Sequence, residues 1–259
     1  MKVFERVRIQ PIAMVEMLTI PDELIATLDS AGLKFKLLGN SLISDDVFDP
    51  HQGKFAKTHK IVAHFSDALE VVHSVWPEYN DTDYQNAALW AMFFPDCWHN
   101  EIDCAVTCSS CNRKTARIDP RQKVEEVKGA KNRPFLNVNG QFKIIRRDVA
   151  DSFVNSLSGL HVEVFDKVGK YMYLLPTSQL SSLIIRDDEV FGFKGFCDEC
   201  GFPKFDMYFG PLRYPAKSWN GNDIVFEPFH RTPVFSHKAA NLILGLDKNI
   251  VRGGVVFLE

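Results

Sequence analysis

The chain has 259 residues, a formal net charge of −3, 46 % hydrophobic and 24 % charged residues, proportions that exclude a disordered protein and suffice for one large or two smaller apolar cores. No stretch reaches the roughly 18 to 20 uninterrupted apolar residues of a membrane span, and MKVFERVRIQ lacks the apolar run of a secretory signal, so the expected compartment is cytoplasmic. In that reducing setting the six cysteines read as metal ligands, reactive groups or buried apolar residues rather than disulfides.

In chain order, KVFERVRI alternates like a strand, and PDELIATLDSAG opens on proline and acidic residues and stops at glycine, as a short helix should. KIVAHF reads as a strand, with Ser66 as the cap of a helix over DALEVVHSVW. DTDYQNAALWAMFF reads as a further helix, capped at Asp81 or Thr82 and ended by Pro95, with Trp90, Phe93 and Phe94 in the core. A boundary near Pro95 then separates residues 1–95, a mixed α/β region, from residues 96–259, an α+β domain. The fold class expected for the whole chain is α+β.

In the second region, QFKIIRRDVADSFVNSLSG passes from an apolar run to helical spacing of Val149, Phe153 and Leu157, and Gly159 stops it. LHVEVFDKVGKYMYLLP has two alternating runs around Gly169, which predicts a hairpin. After the turn WNGND come a strand IVFEPF, a helix capped by Ser236 and a closing strand GGVVFLE. Charge is uneven along the chain. Met1 to Asn112 holds eight Lys or Arg against sixteen Asp or Glu, whereas Arg113 to Arg147 holds eleven against three. Such blocks are either solvated faces that partly compensate or two different partner surfaces.

The cysteines carry the clearest chemistry. TCSSCNR and FCDECGF place Cys108 with Cys111 and Cys197 with Cys200 at the same two-residue spacing. Two such pairs supply the four soft ligands of a tetrahedral structural zinc. The residue after each pair must turn the chain sharply, which favours a left-handed backbone. Gly201 takes it freely, and Asn112 is the next most tolerant residue type. The intervening segment is far longer than in a simple zinc ribbon, but loop closure costs grow only logarithmically, so one ion can still join the pairs. Unmetallated buried thiols are the plain alternative. A redox pair would sit at the start of a helix, and neither pair is followed by a helical pattern. Cys97 and Cys104 read as small buried hydrophobes, either of which could replace a ligand.

WHNEIDCAVTCSSC also sets His99 and Glu101 before a CxxC, as zinc deaminases do. The short spacing, the missing proline before Cys108 and the competing second pair argue against that chemistry. There is no G-x-S-x-G elbow, P-loop, Rossmann fingerprint or HExxH motif. The histidines are scattered, and His230 and His237 read as structural. The chain is therefore expected not to be an enzyme.

Over residues 98–259 the order of features resembles the double-CXXCG motif family of bacterial proteins, related to immunity proteins of polymorphic toxin systems. The features are the Cys108–Cys111 pair, FKIIRRDVADSFVNSLSGL, CDECG, and the closing WNGNDIVFEPFHRTPVFSHKAANLILGLDKNIVRGGVVFLE. Asn112 departs from the motif glycine. The resemblance implies an immunity protein, an antitoxin that binds a cognate effector toxin and covers its active site or target-docking face, with zinc in a structural role. Residues 1–95 are then a candidate toxin-binding part, with Asp45, Asp46, Asp49, Glu78, Asp81 and Asp83 as candidate contacts for a basic toxin. The alternative is a zinc-ribbon nucleic-acid binder using the run from Arg113 to Arg147. The overall pI near 6.2 and the lack of interleaved aromatics in that run weigh against it.

Overall fold

A computed structural model describes residues 1–12, 19–49, 53–97, 105–116, 123–127, 132–140 and 142–259. The chain forms two compact units, Met1–Asn80 and Asp81–Glu259, so the division falls after Asn80 and not near Pro95. Both units combine helices with largely antiparallel sheets, an α+β architecture.

The first unit runs β1 (Lys2–Pro11), α1 (Asp22–Ser30), β2 (Lys36–Leu38), β3 (Ser41–Val47), α2 (Lys54–Ala63) and β4 (Leu69–Glu78). The sheet order is β2-β3-β1-β4 and every pairing is antiparallel. α1 begins after Pro21 with Asp22 and Glu23 in its first turn, where acidic residues favour the helix dipole. Leu24 and Leu28, one turn apart, are fully buried and join Ile9, Leu42, Val62 and Leu69 in one core.

Two expectations fail here for one reason. KIVAHF is mostly the end of α2, whose buried Thr58 and Val62 lie four residues apart, and DALEVVHSVW holds most of strand β4. In β4 burial alternates residue by residue, so the valines obey period two. Positions 71 and 75 lie on one side under either period, and only pairing with β1 along its whole length decides between them. Ser66 does not cap a helix. Its Oγ accepts from the Ala68 amide in a local turn.

The second unit opens with α3 (Asp81–Asn86), β5 (Leu89–Phe93), β6 (Asp96–Cys97), β7 (Ala105–Thr107) and β8 (Lys114–Ala116). It continues with β9 (Phe135–Val138), β10 (Phe142–Arg146), α4 (Arg147–Ser156), β11 (Leu160–Val164) and β12 (Tyr171–Pro176). β13 (Val190–Phe191), β14 (Met207–Tyr208), β15 (Leu212–Tyr214), β16 (Ile224–Glu227), β17 (Thr232–Ser236), α5 (His237–Leu246) and β18 (Val251–Leu258) complete it. The expected single helix over 81–94 is corrected to a short helix and a strand. β5 lies between β17 and β18 at the centre of a sheet, where Leu89, Trp90 and Met92 are buried; Phe94 is also buried, but Phe93, expected in the core, is exposed at the end of the strand. A strand covered on both faces loses its alternation and resembles a buried helix in sequence. Among the described residues β5 pairs with β17 and β18 alone, so the segment before Pro95 belongs to the second unit.

The two five-stranded sheets are ordered β11-β12-β10-β9-β6 and β15-β18-β5-β17-β16. Each contains the same succession of hairpin, ten-residue helix and returning strand: β9-β10-α4-β11 in one and β16-β17-α5-β18 in the other. The expected hairpin β11–β12, the Ser236 cap, which accepts from the Ala239 amide, and the closing strand β18 all form. Phe94, Phe135, Phe153 and Phe235 pack as a chain of rings 5.3 to 5.9 Å apart. Among the described residues no helix is long and apolar enough to cross a membrane.

Candidate metal centre

The first cysteine pair lies in the turn between β7 and β8, which pair antiparallel up to Thr107 and Lys114. The Cys108 amide donates to the Arg113 carbonyl (3.0 Å), and the Asn112 amide donates to the Cys108 carbonyl (2.9 Å). The second pair repeats this pattern. The Cys197 amide donates to the Phe202 carbonyl (2.8 Å) and the Gly201 amide to the Cys197 carbonyl (2.8 Å), closed by a bridge between Phe196 and Pro203. Asn112 and Gly201 both have the left-handed backbone expected of them, at φ 55° and 67°. Hydrogen bonding of the backbone, not spacing alone, therefore makes the two pairs equivalent knuckles.

The knuckles converge. The Sγ atoms of Cys108, Cys111, Cys197 and Cys200 all lie within 4.8 Å of one another. Cys108 is 3.8 Å from Cys197, and Cys111 is 3.6 Å from Cys200. Those separations are well beyond a disulfide of about 2.05 Å. They match the edge of a sulfur tetrahedron around an ion at about 2.3 Å, which is about 3.8 Å. Cys108 and Cys197 are buried and Cys200 is exposed, so the centre sits at the surface with its inner half covered. The donor set suits a soft divalent ion. Four thiolates fill a tetrahedral shell and leave no position for a substrate, which is the design of a structural site.

Glu199, between the cysteines of the second knuckle, ties the two together. Its carboxylate accepts from Ser109 Oγ (2.6 Å), Ser110 Oγ (2.7 Å) and the Ser110 amide (3.1 Å) of the first. These hydrogen bonds hold its carboxyl well below the usual range, at about 2. Arg113, directly after the first knuckle, lies 3.2 Å over the Phe202 ring after the second. Burial, and then the charge of nearby Arg231, lower the Arg113 pKa. Neither Glu199 nor Arg113 was singled out in the sequence. The signal lay in proximity: Glu199 precedes Cys200 directly, and Arg113 follows Cys111 by two residues.

Other candidate residues lie elsewhere. Cys97 is in the apolar core with Val138, Phe142 and Phe165, and burial pushes its thiol up to about 11. It is a packing residue, and the four clustered thiols do not include it. Cys104, His99 and Glu101 lie outside the described residues. His237 Nε2 bonds the Ala87 carbonyl at 2.7 Å, and His230 Nδ1 lies 3.2 Å from Glu227.

The six candidate contact carboxylates divide between the units. Asp45, Asp46, Asp49 and Glu78 belong to the first and Asp81 and Asp83 to the second. Asp45 is held by both Arg6 nitrogens Nε (2.6 Å) and Nη2 (2.8 Å), which lowers its carboxyl pKa. Asp46 accepts from the Val47 amide and pairs with Lys54 at 3.3 Å, and Asp81 pairs with Arg252 at 2.9 Å. A groove of about 770 Å³ beside Asp45 and Asp46 is lined by Lys34, Lys36, Lys54 and Lys57. The acidic excess of the N-terminal sequence is thus locally offset by cations that only folding brings near.

No family model matches this chain, and neither do the curated proteins or the solved structures searched.

Proposed function

We propose that the four cysteines hold one structural zinc ion and that the protein is an immunity protein, which binds a cognate effector toxin and covers its active site or target-docking face. The observation that carries this reading is the convergence of two equally hydrogen-bonded knuckles on one four-sulfur centre. A closed thiolate shell supplies rigidity and no reaction, and a rigid surface loses little ordering entropy on binding. The double-CXXCG order of residues 98–259 supplies the toxin-binding part of the reading. The interface expected of such an inhibitor buries about 1,200 to 2,000 Å² in total.

Within a loaded centre, Cys108, Cys111, Cys197 and Cys200 would be the ligands. Glu199 orients the first knuckle through the two serines, and the ion supplies a cross-link between segments 89 residues apart. The metal is tested by mass spectrometry under native and denaturing conditions. One zinc per chain is expected in the native spectrum. Its absence, or its retention after joint Cys197→Ser and Cys200→Ser substitution, sinks the four-cysteine site.

The immunity role is tested with the protein encoded directly upstream. Expressed alone it should arrest growth; co-expression of this chain should restore growth, and the two proteins should elute together. Arrest that co-expression does not relieve counts against the immunity reading and leaves the metal centre standing. Neutralising Asp45, Asp46, Asp49, Glu78, Asp81 and Asp83 together should slow association and flatten its salt dependence. An unchanged rate would move the interface elsewhere.

The nucleic-acid alternative draws on the basic run from Arg113 to Arg147, and several of its cations are engaged within the fold. Arg113 covers Phe202, Lys143 is buried against Phe94, and Arg146 pairs with Asp148. These contacts weigh against phosphate tracking by those three residues. A salt-titrated assay on mixed DNA and RNA separates the two, because phosphate tracking requires affinity that falls steeply with salt.

A further inference from the structure

Beside the second knuckle lies a cavity of about 390 Å³ that Cys200 itself lines; most residues of its wall are apolar, and Arg113, Arg231, Gln179, Ser181 and Ser182 supply its polar part. Arg231 ends the four-residue turn between β16 and β17 at φ 57°. Glycine adopts that backbone freely, whereas a long side chain does so at a cost. Its Nε is buried with no hydrogen-bond partner among the described residues. An unmet buried donor costs free energy, and this one belongs to a side chain that lines open space.

Arg113 stands in the same wall, fixed over Phe202 and donating through Nη2 to the Phe229 carbonyl. Glu227, a buried acid whose charge acts on Arg113, is already occupied: it accepts from Tyr214 Oη and from the Phe229 and His230 amides. A four-thiolate centre with a divalent ion carries two net negative charges, and arginines beside it offset that field. The offset accounts for the presence of positive charge. It accounts for neither the open cavity nor the unpaired Nε.

We propose that this cavity binds a small oxyanion, a phosphate or carboxylate group, gripped by Arg231 and Arg113 with Gln179, Ser181 and Ser182 as neutral donors. Two guanidinium groups and hydroxyls make charge-assisted hydrogen bonds to either group. The inference does not depend on the toxin-binding role.

The test is titration of the metal-loaded full chain with inorganic phosphate and, separately, with acetate, at ionic strength held constant with chloride and followed by calorimetry. Saturable binding is expected. Arg231→Gly, which suits the left-handed turn and so preserves the fold, should weaken it by about tenfold or more, and Arg231→Lys by less. Metal content should not change in either variant. Tighter phosphate binding assigns a phosphoryl ligand, and tighter acetate binding a carboxylate. Saturation by neither anion, or binding that Arg231→Gly leaves within about twofold, overturns the proposal. So would loss of metal in Arg231→Gly, which would assign the arginine to the field of the metal centre.

Discussion

The first unit and the two knuckles of the second solve the same problem by different means. In Met1–Asn80 a four-stranded sheet covered by α1 and α2 buries Ile9, Leu24, Leu28, Leu42 and Val62 almost completely. Around the knuckles the sheets are two-stranded, β7 with β8 and β13 with β14, and Phe191, Phe193 and Phe196 remain exposed. A two-stranded ribbon buries too little apolar surface to hold itself in water. The difference teaches that packing suffices for one part of the chain, whereas the other offers four converging thiols instead; with the proposed ion bound, the two should fail under different perturbations.

The largest expected effect is joint replacement of Cys197 and Cys200 by serine. Metal content should fall from about one ion per chain to near zero, and the knuckle amides should lose hydrogen-exchange protection. Exchange in β1 and α1 should stay as it was; uniform loss across both units would break the contrast. Next is Leu28→Ala, which leaves a cavity under α1. It should destabilise the first unit by about 2–5 kcal/mol in denaturant titration and leave metal content unchanged.

Lys143 sharpens the comparison from inside an apolar core. It is 7 % exposed, lies 4.8 Å from the Phe94 ring centre, and burial depresses its ammonium from 10.5 to about 8. Between those values the unfolded chain binds a proton that the folded chain does not, so stability should rise as pH goes from about 8 to 10.5. Lys143→Met should stabilise the second unit by about 1–3 kcal/mol at pH 7 and flatten that rise, as read by unfolding at several pH values.

Glu199→Ala removes the acceptor of three hydrogen bonds from the first knuckle. Metal affinity, measured by competition with a chromophoric chelator, should fall by about tenfold. The smallest effect is expected of Asn112→Gly. It relaxes a left-handed residue and should leave metal affinity within about twofold, whereas Asn112→Val should weaken it, because a β-branched side chain resists that backbone. Equal behaviour of the glycine and valine variants would show that the turn after the first knuckle does not constrain its thiols.

Elements with their own start and stop signals were legible in the sequence: α1 after Pro21, the hairpin around Gly169, and α5 under its Ser236 cap. Segments whose identity depends on a distant neighbour were not. β4 and β5 carry apolar residues that suit a helix as well as a strand, and each became a strand by lying against other strands, β4 beside β1 and β5 between β17 and β18. The same holds for the charges. The acidic excess of the N-terminal segment was countable, but the pairing of Asp45 with Arg6 and of Asp46 with Lys54 was not.

The sequence by itself determined the local chemistry of the cysteine centre: two CxxC knuckles, each followed by a residue that tolerates a left-handed turn, because spacing and backbone preference are properties of a few adjacent residues. Only the tertiary structure decided that the knuckles meet, that Glu199 of one orders the serines of the other, and that Arg231 opens onto a cavity beside them. Contacts across 89 residues have no local signature, since they are set by which sheets form around them and by the cost of closing the chain between.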